Sequence, residues 1–232
     1  MVTVKQPQSK SLPPLENGDR LDQKTFHARY EAMPDDCRAE LIGGIVYMPS
    51  PQKIPHSKVQ RLVIRWLDEY AEVTPGTDAL LNNTQILGPQ SEPEPDACLF
   101  IAPEYGGRVY ADKDDYLHGA PELIVEVSSS TESIDLHRKK QDYQQAGVSE
   151  YVVLALRMQQ VFWFVRQRGK YKEAPLPADG IFRSRIFPGL WLDAEAILRC
   201  HRPGVLAALK RGLATAEHAA FVGKLAKQAS KS

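Results

Sequence analysis

The most regular pattern of apolar positions in the chain predicts an amphipathic helix. Apolar side chains recur at steps of three and one residues, which places them on one helical face: Val59, Leu62, Val63, Trp66, Leu67 and Tyr70. Charged side chains occupy the other faces, and Pro75-Gly76 ends the helix. A shorter helix is predicted before it, over Leu21 to Ala32.

Strand-like runs lie on both sides of this helix. Glu40 to Met48 predicts a hairpin whose turn is formed by Gly43-Gly44. After the helix, strands are predicted over Ala79 to Leu87, Asp96 to Ile101 and Glu122 to Val127. The last run contains Leu-Ile-Val-Glu-Val, which is typical of a central strand that is covered on both faces.

A third helix is predicted from Glu132 to Gly147, since Ser128 to Thr131 offers hydroxyl groups that can cap it. Strands over Tyr151 to Leu156 and Val161 to Val165 follow, and Tyr171 to Ala174 extends this sheet. The order indicates an α/β sandwich with a central mixed β-sheet flanked by helices. A TIM barrel and a doubly wound nucleotide-binding fold do not fit this order, and no glycine-rich phosphate loop occurs.

The two ends of the chain differ in composition from the part between them. Residues 1–18 are polar and rich in proline, which predicts a disordered tail. Residues 19–200 are long enough for one domain, and the alanine- and lysine-rich residues 201–232 predict a peripheral helical extension. The three scattered cysteines argue against disulfides and a cysteine zinc site. Without a signal peptide or membrane span, we expect a cytoplasmic protein that does not bind a membrane.

The strand with the most apolar sequence contains a carboxylate, Glu126. A buried charge without a partner is costly, so Glu126 needs compensation unless it reaches solvent or forms a structural pair with Lys139. Asp96 opens the neighbouring strand, and an antiparallel pairing would bring the two carboxylates together. They would repel unless a proton or a cation lay between them. Mg²⁺ prefers such oxygen ligands, and the backbone carbonyl of Val127 could supply another.

The helix that follows Glu126 contains a candidate catalytic cation. Asp135, Lys139 and Tyr143 are four residues apart and lie on one helical face, a spacing that an ordinary salt bridge also explains. Beside Glu126, however, Lys139 could orient an attacking water and stabilise charge on a scissile phosphate. Lys140 is the neighbouring alternative, about 100° further round the helix.

Together these residues resemble the PD-(D/E)xK nuclease signature, in which Pro95-Asp96 is followed by Glu126-Val127-Ser128. Within that superfamily, the chain from Glu40 to Leu192 is similar to the Uma-two family of restriction endonucleases. The matching stretches are Glu40-Leu-Ile-Gly-Gly, Pro51 with His56, Glu94-Pro-Asp-Ala, Pro121-Glu-Leu-Ile-Val-Glu-Val-Ser, Asp135-x-x-x-Lys139-x-x-x-Tyr143-x-x-x-Gly147-Val148-x-Glu150-Tyr151 and Phe187-Pro-Gly-Leu. Ser128 stands at the usual lysine position, and the resemblance implies that Lys139 replaces that lysine.

The resemblance implies a restriction-endonuclease-like fold and a Mg²⁺-dependent endonuclease, with Mn²⁺ as a substitute metal. Its substrate would be nucleic acid, with DNA expected, and double-strand cleavage would favour a homodimer. The implied catalytic residues are Asp96, Glu126 and Lys139, and the implied metal ligands are Asp96, Glu126 and Val127. The implied supporting residues are Glu40, His56, Asp135 and Tyr143, although Glu40 could be a solvated hairpin residue and His56 a helix cap.

A basic stretch in the second half of the chain offers a possible contact to nucleic acid. It comprises Arg157, Arg166, Arg168, Lys170, Lys172, Arg183 and Arg185. A solvated hairpin face is the alternative interpretation of these charges. Two other functions stay open: a non-catalytic module that binds nucleic acid or a partner, and a metal-dependent hydrolase of small phosphoesters. The zero net charge argues against a protein that coats nucleic acid passively.

Overall fold

The helices and strands alternate as in an α/β protein. The computed structural model describes residues 12–34, 36–49 and 51–230, so most of the tail predicted to be disordered lies outside the described residues. In chain order the elements are α1 (Gln23–Tyr30), β1 (Glu40–Ile42), β2 (Ile45–Tyr47), α2 (Ile54–Glu72), β3 (Thr77–Leu81), β4 (Gln85–Ile86), β5 (Ala97–Ile101), β6 (Tyr110–Ala111), β7 (Leu117–His118), β8 (Leu123–Ser128), α3 (Lys140–Ala146), β9 (Glu150–Ala155), β10 (Gln160–Gln167), β11 (Lys170–Ala174), β12 (Ile181–Arg183), β13 (Trp191–Asp193), α4 (Ala194–Leu198), α5 (Arg202–Leu213) and α6 (Ala216–Ala229). A 3₁₀ turn, Pro103–Tyr105, and a π-helical segment, Ile134–Lys139, complete them.

A six-stranded mixed sheet in the order β11-β10-β9-β8-β5-β3 forms the centre of the protein. Only the β8–β9 pair is parallel, and the other neighbours in this sheet are antiparallel. One face packs against α2, where the rings of Trp66 and Trp163 meet edge to face. On the other face, Tyr151 of β9 packs against Tyr143 of α3, and both are buried. The predicted α/β sandwich with a central mixed sheet is confirmed.

The predicted N-terminal hairpin is also confirmed, and it carries Glu40 toward the sheet. β1 and β2 are joined by a two-residue turn in which Gly43 and Gly44 both have positive φ, a conformation that glycine adopts without strain. α1 covers the hairpin through a small separate apolar cluster that includes Phe26 and Leu41. Leu41 exchanges backbone hydrogen bonds with Glu92, which attaches the hairpin to the rest of the protein.

Two predicted elements are divided in the structure. The strand expected over Ala79 to Leu87 is two strands, β3 and β4, because Asn82 between them has φ of 47° and ends the extended backbone. The helix expected from Glu132 to Gly147 is helical from Glu132, contains the π-helical segment Ile134–Lys139 and continues as α3. Gly147 ends α3 in the left-handed conformation, as expected for a helix that ends in glycine.

The C-terminal residues form two helices where the sequence pattern predicted one. Thr215 separates α5 from α6, and its hydroxyl oxygen accepts a hydrogen bond from the backbone N–H of His218. Val205 and Phe221, from the two helices, pack in the same apolar cluster as α2 and the sheet. The division of the chain into domains stays a prediction. Across the residues that the structure describes, no helix is both long and apolar enough to cross a bilayer.

Candidate active site

Asp96 is held where β5 begins, directly beside the end of β8. The antiparallel register places Ala97 opposite Val125. Asp96, which precedes Ala97, therefore lies beside Glu126, which follows Val125. Asp96 is buried, and its Oδ2 atom accepts a hydrogen bond of 2.7 Å from the backbone N–H of Val127. Its Oδ1 atom accepts another from Gln60 Nε2, also at 2.7 Å. Strand pairing and a helical side chain therefore fix this carboxylate.

Glu126 points into the protein and does not reach solvent, since its exposed fraction is 4%. Its Oε1 atom accepts hydrogen bonds from Lys139 Nζ at 3.0 Å and from the Tyr143 hydroxyl at 2.8 Å. Burial raises the pKa of Glu126 well above its usual value; Lys139 opposes this, while the carboxylates of Asp96, Asp135 and other neighbours raise it further. The site therefore holds more negative charge than Lys139 alone compensates.

Lys139 is buried between two carboxylates. Its Nζ atom donates to Glu126 Oε1 and to Glu40 Oε1, the latter at 2.9 Å. Burial lowers the pKa of Lys139, but Glu126, Glu40 and Asp135 together raise it well above the usual value. Lys139 is accordingly protonated at neutral pH.

The two residues expected to orient Lys139 have hydrogen-bond partners other than Lys139, so their support of Lys139 stays a prediction. Tyr143 donates to Glu126, and the Asp135 carboxylate accepts from the Thr131 hydroxyl at 2.6 Å. Asp135 and Lys139 lie within the π-helical segment, whose i→i+5 hydrogen bonds change the alignment of side chains four residues apart, whereas Tyr143 lies in α3. Asp135 acts on Lys139 through its charge, and Glu40 supplies the direct contact.

Glu40 enters the site from the hairpin, far from Lys139 in sequence. It is buried, and its Oε1 atom also accepts a hydrogen bond of 2.8 Å from the backbone N–H of Glu94. The Glu94 side chain pairs with Arg38. These contacts exclude the solvated position considered for Glu40 and tie the hairpin to the strand that carries Asp96.

The donor atoms at this point suit a hard divalent cation. Within the described part of the chain, no three His, Cys, Asp or Glu side chains lie close enough together to hold a metal ion by themselves. Mg²⁺ does not need such a group, because it is commonly held by one or two carboxylates with water and substrate phosphate completing its shell. Asp96, Glu126 and the Val127 carbonyl fit that donor set, and the effect of Asp96 on the pKa of Glu126 is the repulsion that a cation would relieve.

The chain that builds this site matches a known protein family. The model of the Uma2 family, described as "Putative restriction endonuclease", matches residues 25–195, which is most of the chain. The chain belongs to the Uma2 family. No curated protein matches it. Membership confirms the resemblance to the Uma-two family and indicates a nuclease of the restriction-endonuclease type.

A solved structure is similar to this Uma2 chain in fold. It is titled a "putative nuclease belonging to DUF820" from Anabaena variabilis ATCC 29413, and the two share 16% sequence identity with a TM-score of 0.58. The similarity covers 75% of this chain and 97% of that chain. At this identity the likeness concerns the fold alone, and it confirms the predicted restriction-endonuclease-like α/β fold.

Two site residues of this Uma2 chain were not predicted from its sequence. Gln60 Nε2 donates to both Asp96 Oδ1 and Asn82 Oδ1, at 2.7 and 2.6 Å. The position of Gln60 could have indicated it, because Gln60 follows His56 by four residues and both side chains lie on one face of α2, beside its apolar stripe. Asn82 gave no comparable signal because its role depends on the positive φ that ends β3.

His56 lies in the first turns of α2, against Asp96. Its Nε2 atom is 3.3 Å from Asp96 Oδ2, and its buried Nδ1 atom has no hydrogen-bond partner among the described residues. Burial lowers the pKa of His56, but the Asp96 carboxylate and the Val127 carbonyl raise it above the usual value overall. The structure therefore brings His56, like Glu40, to the predicted site.

The basic stretch predicted to contact nucleic acid does not gather at this site. Glu126 lies opposite Val153 in the parallel β8–β9 pair, and Arg157 follows the nearby end of β9. The turn between β10 and β11, with Arg168, lies beyond Glu150 at the opposite end of the sheet. Other members of the stretch have local partners: Arg166 donates to the Gln144 carbonyl, and Arg183 pairs with Asp179.

Proposed function

We propose that this chain is a metal-dependent endonuclease that hydrolyses phosphodiester bonds in nucleic acid, with DNA as the expected substrate. Asp96, Glu126 and the Val127 carbonyl would hold Mg²⁺, for which Mn²⁺ can substitute. When bound, the ion supplies Lewis-acid chemistry and lowers the pKa of a bound water. The observation that carries the proposal is the pair of adjacent buried carboxylates, Asp96 and Glu126, with Lys139 hydrogen-bonded to Glu126.

The hydrogen bonds within the site leave one carboxylate oxygen of Glu126 and one N–H donor of Lys139 for this chemistry. Lys139 and Tyr143 both donate to Oε1 of Glu126, so its Oε2 atom remains for a ligand. An ammonium group has three donors, and Lys139 uses two of them, on Glu40 and Glu126. The third can orient the attacking water or stabilise charge on the scissile phosphate. Gln60 and the Val127 N–H keep Asp96 in place throughout.

Nicking of supercoiled plasmid tests the proposal directly. The wild type, Glu126→Ala and a control, Glu173→Ala, are compared in Mg²⁺, Mn²⁺ and EDTA; Glu173 is exposed on the edge strand β11. We expect wild type and Glu173→Ala to nick the plasmid with either metal, and Glu126→Ala to leave it supercoiled. Equal cleavage by Glu126→Ala, or cleavage in EDTA, would contradict the assignment.

Further substrates separate the remaining alternatives. Cleavage of an RNA transcript but not of plasmid would show that the substrate is RNA and not DNA. Hydrolysis of a nitrophenyl phosphodiester with intact plasmid would favour a hydrolase of small phosphoesters. Plasmid binding without any cleavage would favour a non-catalytic module that keeps the fold. Direct conversion to linear plasmid would support the predicted homodimer.

A further inference from the structure

A closed ring of three hydrogen bonds joins α2, the end of β3 and the start of β5. Gln60 Nε2, on α2, donates to Asp96 Oδ1 at 2.7 Å and to Asn82 Oδ1 at 2.6 Å. The backbone N–H of Asn82 donates in turn to the backbone carbonyl of Asp96, at 3.4 Å. Asn82 therefore contacts Asp96 twice, once directly through the backbone and once through the amide of Gln60.

The two oxygens of the Asp96 carboxylate have different donors. Oδ2 accepts from the backbone N–H of Val127 and lies 3.3 Å from His56 Nε2. Oδ1 accepts from Gln60, and no other described residue donates to it. A buried carboxylate oxygen has lost its hydrogen bonds to water, so the position of the Gln60 amide determines how Oδ1 is held.

Asn82 determines which way the Gln60 amide faces. An amide group has two N–H donors, and Gln60 uses one on Asp96 and the other on Asn82. If the amide were turned over, its carbonyl oxygen would face two acceptor oxygens, which repel it. Gln60 is only 6% exposed, so water replaces a lost partner poorly and the side chain would have to shift.

The backbone conformation of Asn82 explains only part of its environment. Its φ is 47°, in the left-handed region, where asparagine is enriched and glycine is free of strain. This conformation ends β3, so an asparagine here could serve the turn alone. Its side-chain contact with Gln60 is a second interaction, which the turn does not require.

We propose that Asn82 is a positioning residue that acts on Asp96 through Gln60 and thereby sets the affinity of the site for its metal ion. The inference rests on the proposed function, in which Asp96 is a metal ligand. Mg²⁺ requires nearly ideal octahedral geometry, so a small displacement of a ligand oxygen weakens its binding. Removing a group that hydrogen-bonds a metal ligand commonly lowers metal affinity about 10- to 100-fold. Gln60 is such a group, and Asn82 keeps it in its donating orientation.

Calorimetric titration with Mn²⁺, without nucleic acid, tests this role. The proteins are the wild type, Gln60→Leu, Asn82→Gly and the double variant Gln60→Leu/Asn82→Gly. Glycine is chosen at position 82 because it adopts the positive φ without strain and removes only the side chain. Asn83→Gly is the matched control, since it makes the same change at the next residue, whose side chain has no hydrogen bond to Gln60 or Asp96 in the described part of the chain.

Thermal melts in EDTA check that each variant is folded. Gln60→Met, which keeps a side chain of nearly the same length, replaces Gln60→Leu in every comparison if the latter does not melt cooperatively. Either substitution removes the amide that joins Asn82 to Asp96.

We expect Gln60→Leu to bind Mn²⁺ about tenfold or more weakly than the wild type. Asn82→Gly should bind about threefold or more weakly, as expected for the loss of one hydrogen bond. In the Gln60→Leu background, Asn82→Gly should cause no further loss, because the residue through which it acts is gone. Asn83→Gly should bind as the wild type does.

Three results would overturn the proposal. Wild-type affinity in Asn82→Gly would leave Asn82 with its turn alone. An equal loss in both backgrounds would show that Asn82 acts without Gln60. The same loss in Asn83→Gly would show that added flexibility after β3, and not the contact with Gln60, weakens binding.

The outcome is separable from that of the nuclease assignment. If Asn82→Gly weakens Mn²⁺ binding only when Gln60 is present, while the wild type cleaves neither plasmid nor RNA, the positioning role stands and the nuclease function fails. If the wild type cleaves plasmid and Asn82→Gly binds Mn²⁺ as it does, the nuclease function stands and the positioning role is wrong.

Discussion

Two buried glutamates lie on adjacent parallel strands in the centre of the sheet, and their surroundings differ. Glu150, on β9, accepts hydrogen bonds from the Ser184 hydroxyl at 2.6 Å and from the backbone N–H of Arg185 at 2.7 Å. Glu126, on β8, is bound by Lys139 and Tyr143. Burial raises the pKa of both carboxyl groups, but hydrogen bonds then lower that of Glu150, whereas nearby carboxylates raise that of Glu126.

The difference shows that burial alone does not identify a catalytic carboxylate. Both oxygens of Glu150 accept hydrogen bonds from one short segment, so the side chain holds that segment against the sheet. Glu126 has Asp96 and Glu40 near it as well as Lys139, so its surroundings carry an excess of negative charge. A structural carboxylate is satisfied by its neighbours, whereas the negative charge around Glu126 is of the kind that the proposed cation would offset.

We expect the largest effect when the melting temperatures of two single variants, Glu126→Gln and Glu150→Gln, are compared with that of the wild type, with and without metal. In EDTA, Glu126→Gln should be as stable as the wild type or more stable, because it removes one of two repelling carboxylates. In Mg²⁺ at about a thousand times its Kd, only the wild type should gain about 4 kcal/mol from binding. The order of the two melting temperatures should therefore reverse.

Glu150→Gln is the matched control for this reversal of the melting temperatures. It weakens hydrogen bonds to a buried carboxylate in both conditions, so it should be less stable than the wild type by a similar amount with and without metal. A parallel shift for Glu126→Gln as well would make the two glutamates equivalent and remove Glu126 as a metal ligand.

A second comparison separates two adjacent lysines. Lys139→Ala should lower the cleavage rate by about 10²–10³, since the proposed mechanism uses this cation at the reacting phosphate, and it should leave Mn²⁺ affinity nearly intact. Lys140 lies over the ring of Phe164, with Nζ 4.6 Å from the ring centroid, so Lys140→Ala should keep most of the activity. Plasmid cleavage rates and calorimetric titration with Mn²⁺ measure both effects. Loss of activity in Lys140→Ala alone would show that the catalytic role belongs to Lys140.

The sequence predicted the main strands of the central sheet, and it drew attention to Asp96 and Glu126, because both inferences depend on local pattern. An apolar strand interrupted by Glu126 needs compensation wherever it folds, and Asp96 precedes the strand that pairs with it. The contact between Lys139 and Glu40 joins residues 99 positions apart. The family resemblance implied Glu40 as a supporting residue but did not indicate this contact.

Other features were beyond the sequence pattern for physical reasons. The π-helical segment has an ordinary helical sequence, and its altered hydrogen bonding changes the alignment of Asp135 with Lys139, so that Asp135 meets Thr131. Gln60 carries no charge, so the cost of burying a charge could not indicate it, although its amide donates a hydrogen bond to Asp96. The basic residues lie within one segment of the sequence, but β10 runs along the sheet between Arg157 and Arg168 and places them at opposite ends.

The smallest effect is expected for a third buried carboxylate, Asp142 on α3, and it concerns how burial changes the pH dependence of stability. Its Oδ2 atom accepts a hydrogen bond of 2.5 Å from the Ser91 hydroxyl, and burial raises its pKa from 3.8 to about 6. Like Glu150 it is bound by neutral donors, and the proposed chemistry gives it no role. We therefore expect Asp142→Asn to change stability with pH but to leave plasmid cleavage near the wild-type rate.

The sign follows from proton binding. Between pH 3.8 and about 6 the folded protein holds the Asp142 proton more tightly than the unfolded chain does, so the stability of the wild type falls as pH rises through this window. Asp142→Asn lacks this titration, and its unfolding free energy relative to the wild type should rise by at most about 3 kcal/mol from pH 4 to pH 7. Urea unfolding at a series of pH values measures the difference. Asp179→Asn is the control, because Arg183 lowers the pKa of the exposed Asp179 to about 2, which places its titration below the window. A pH-independent difference for Asp142→Asn would show that its neighbours satisfy the charged form as fully as water does, and loss of cleavage would instead place Asp142 with Glu126 among the residues of the active site.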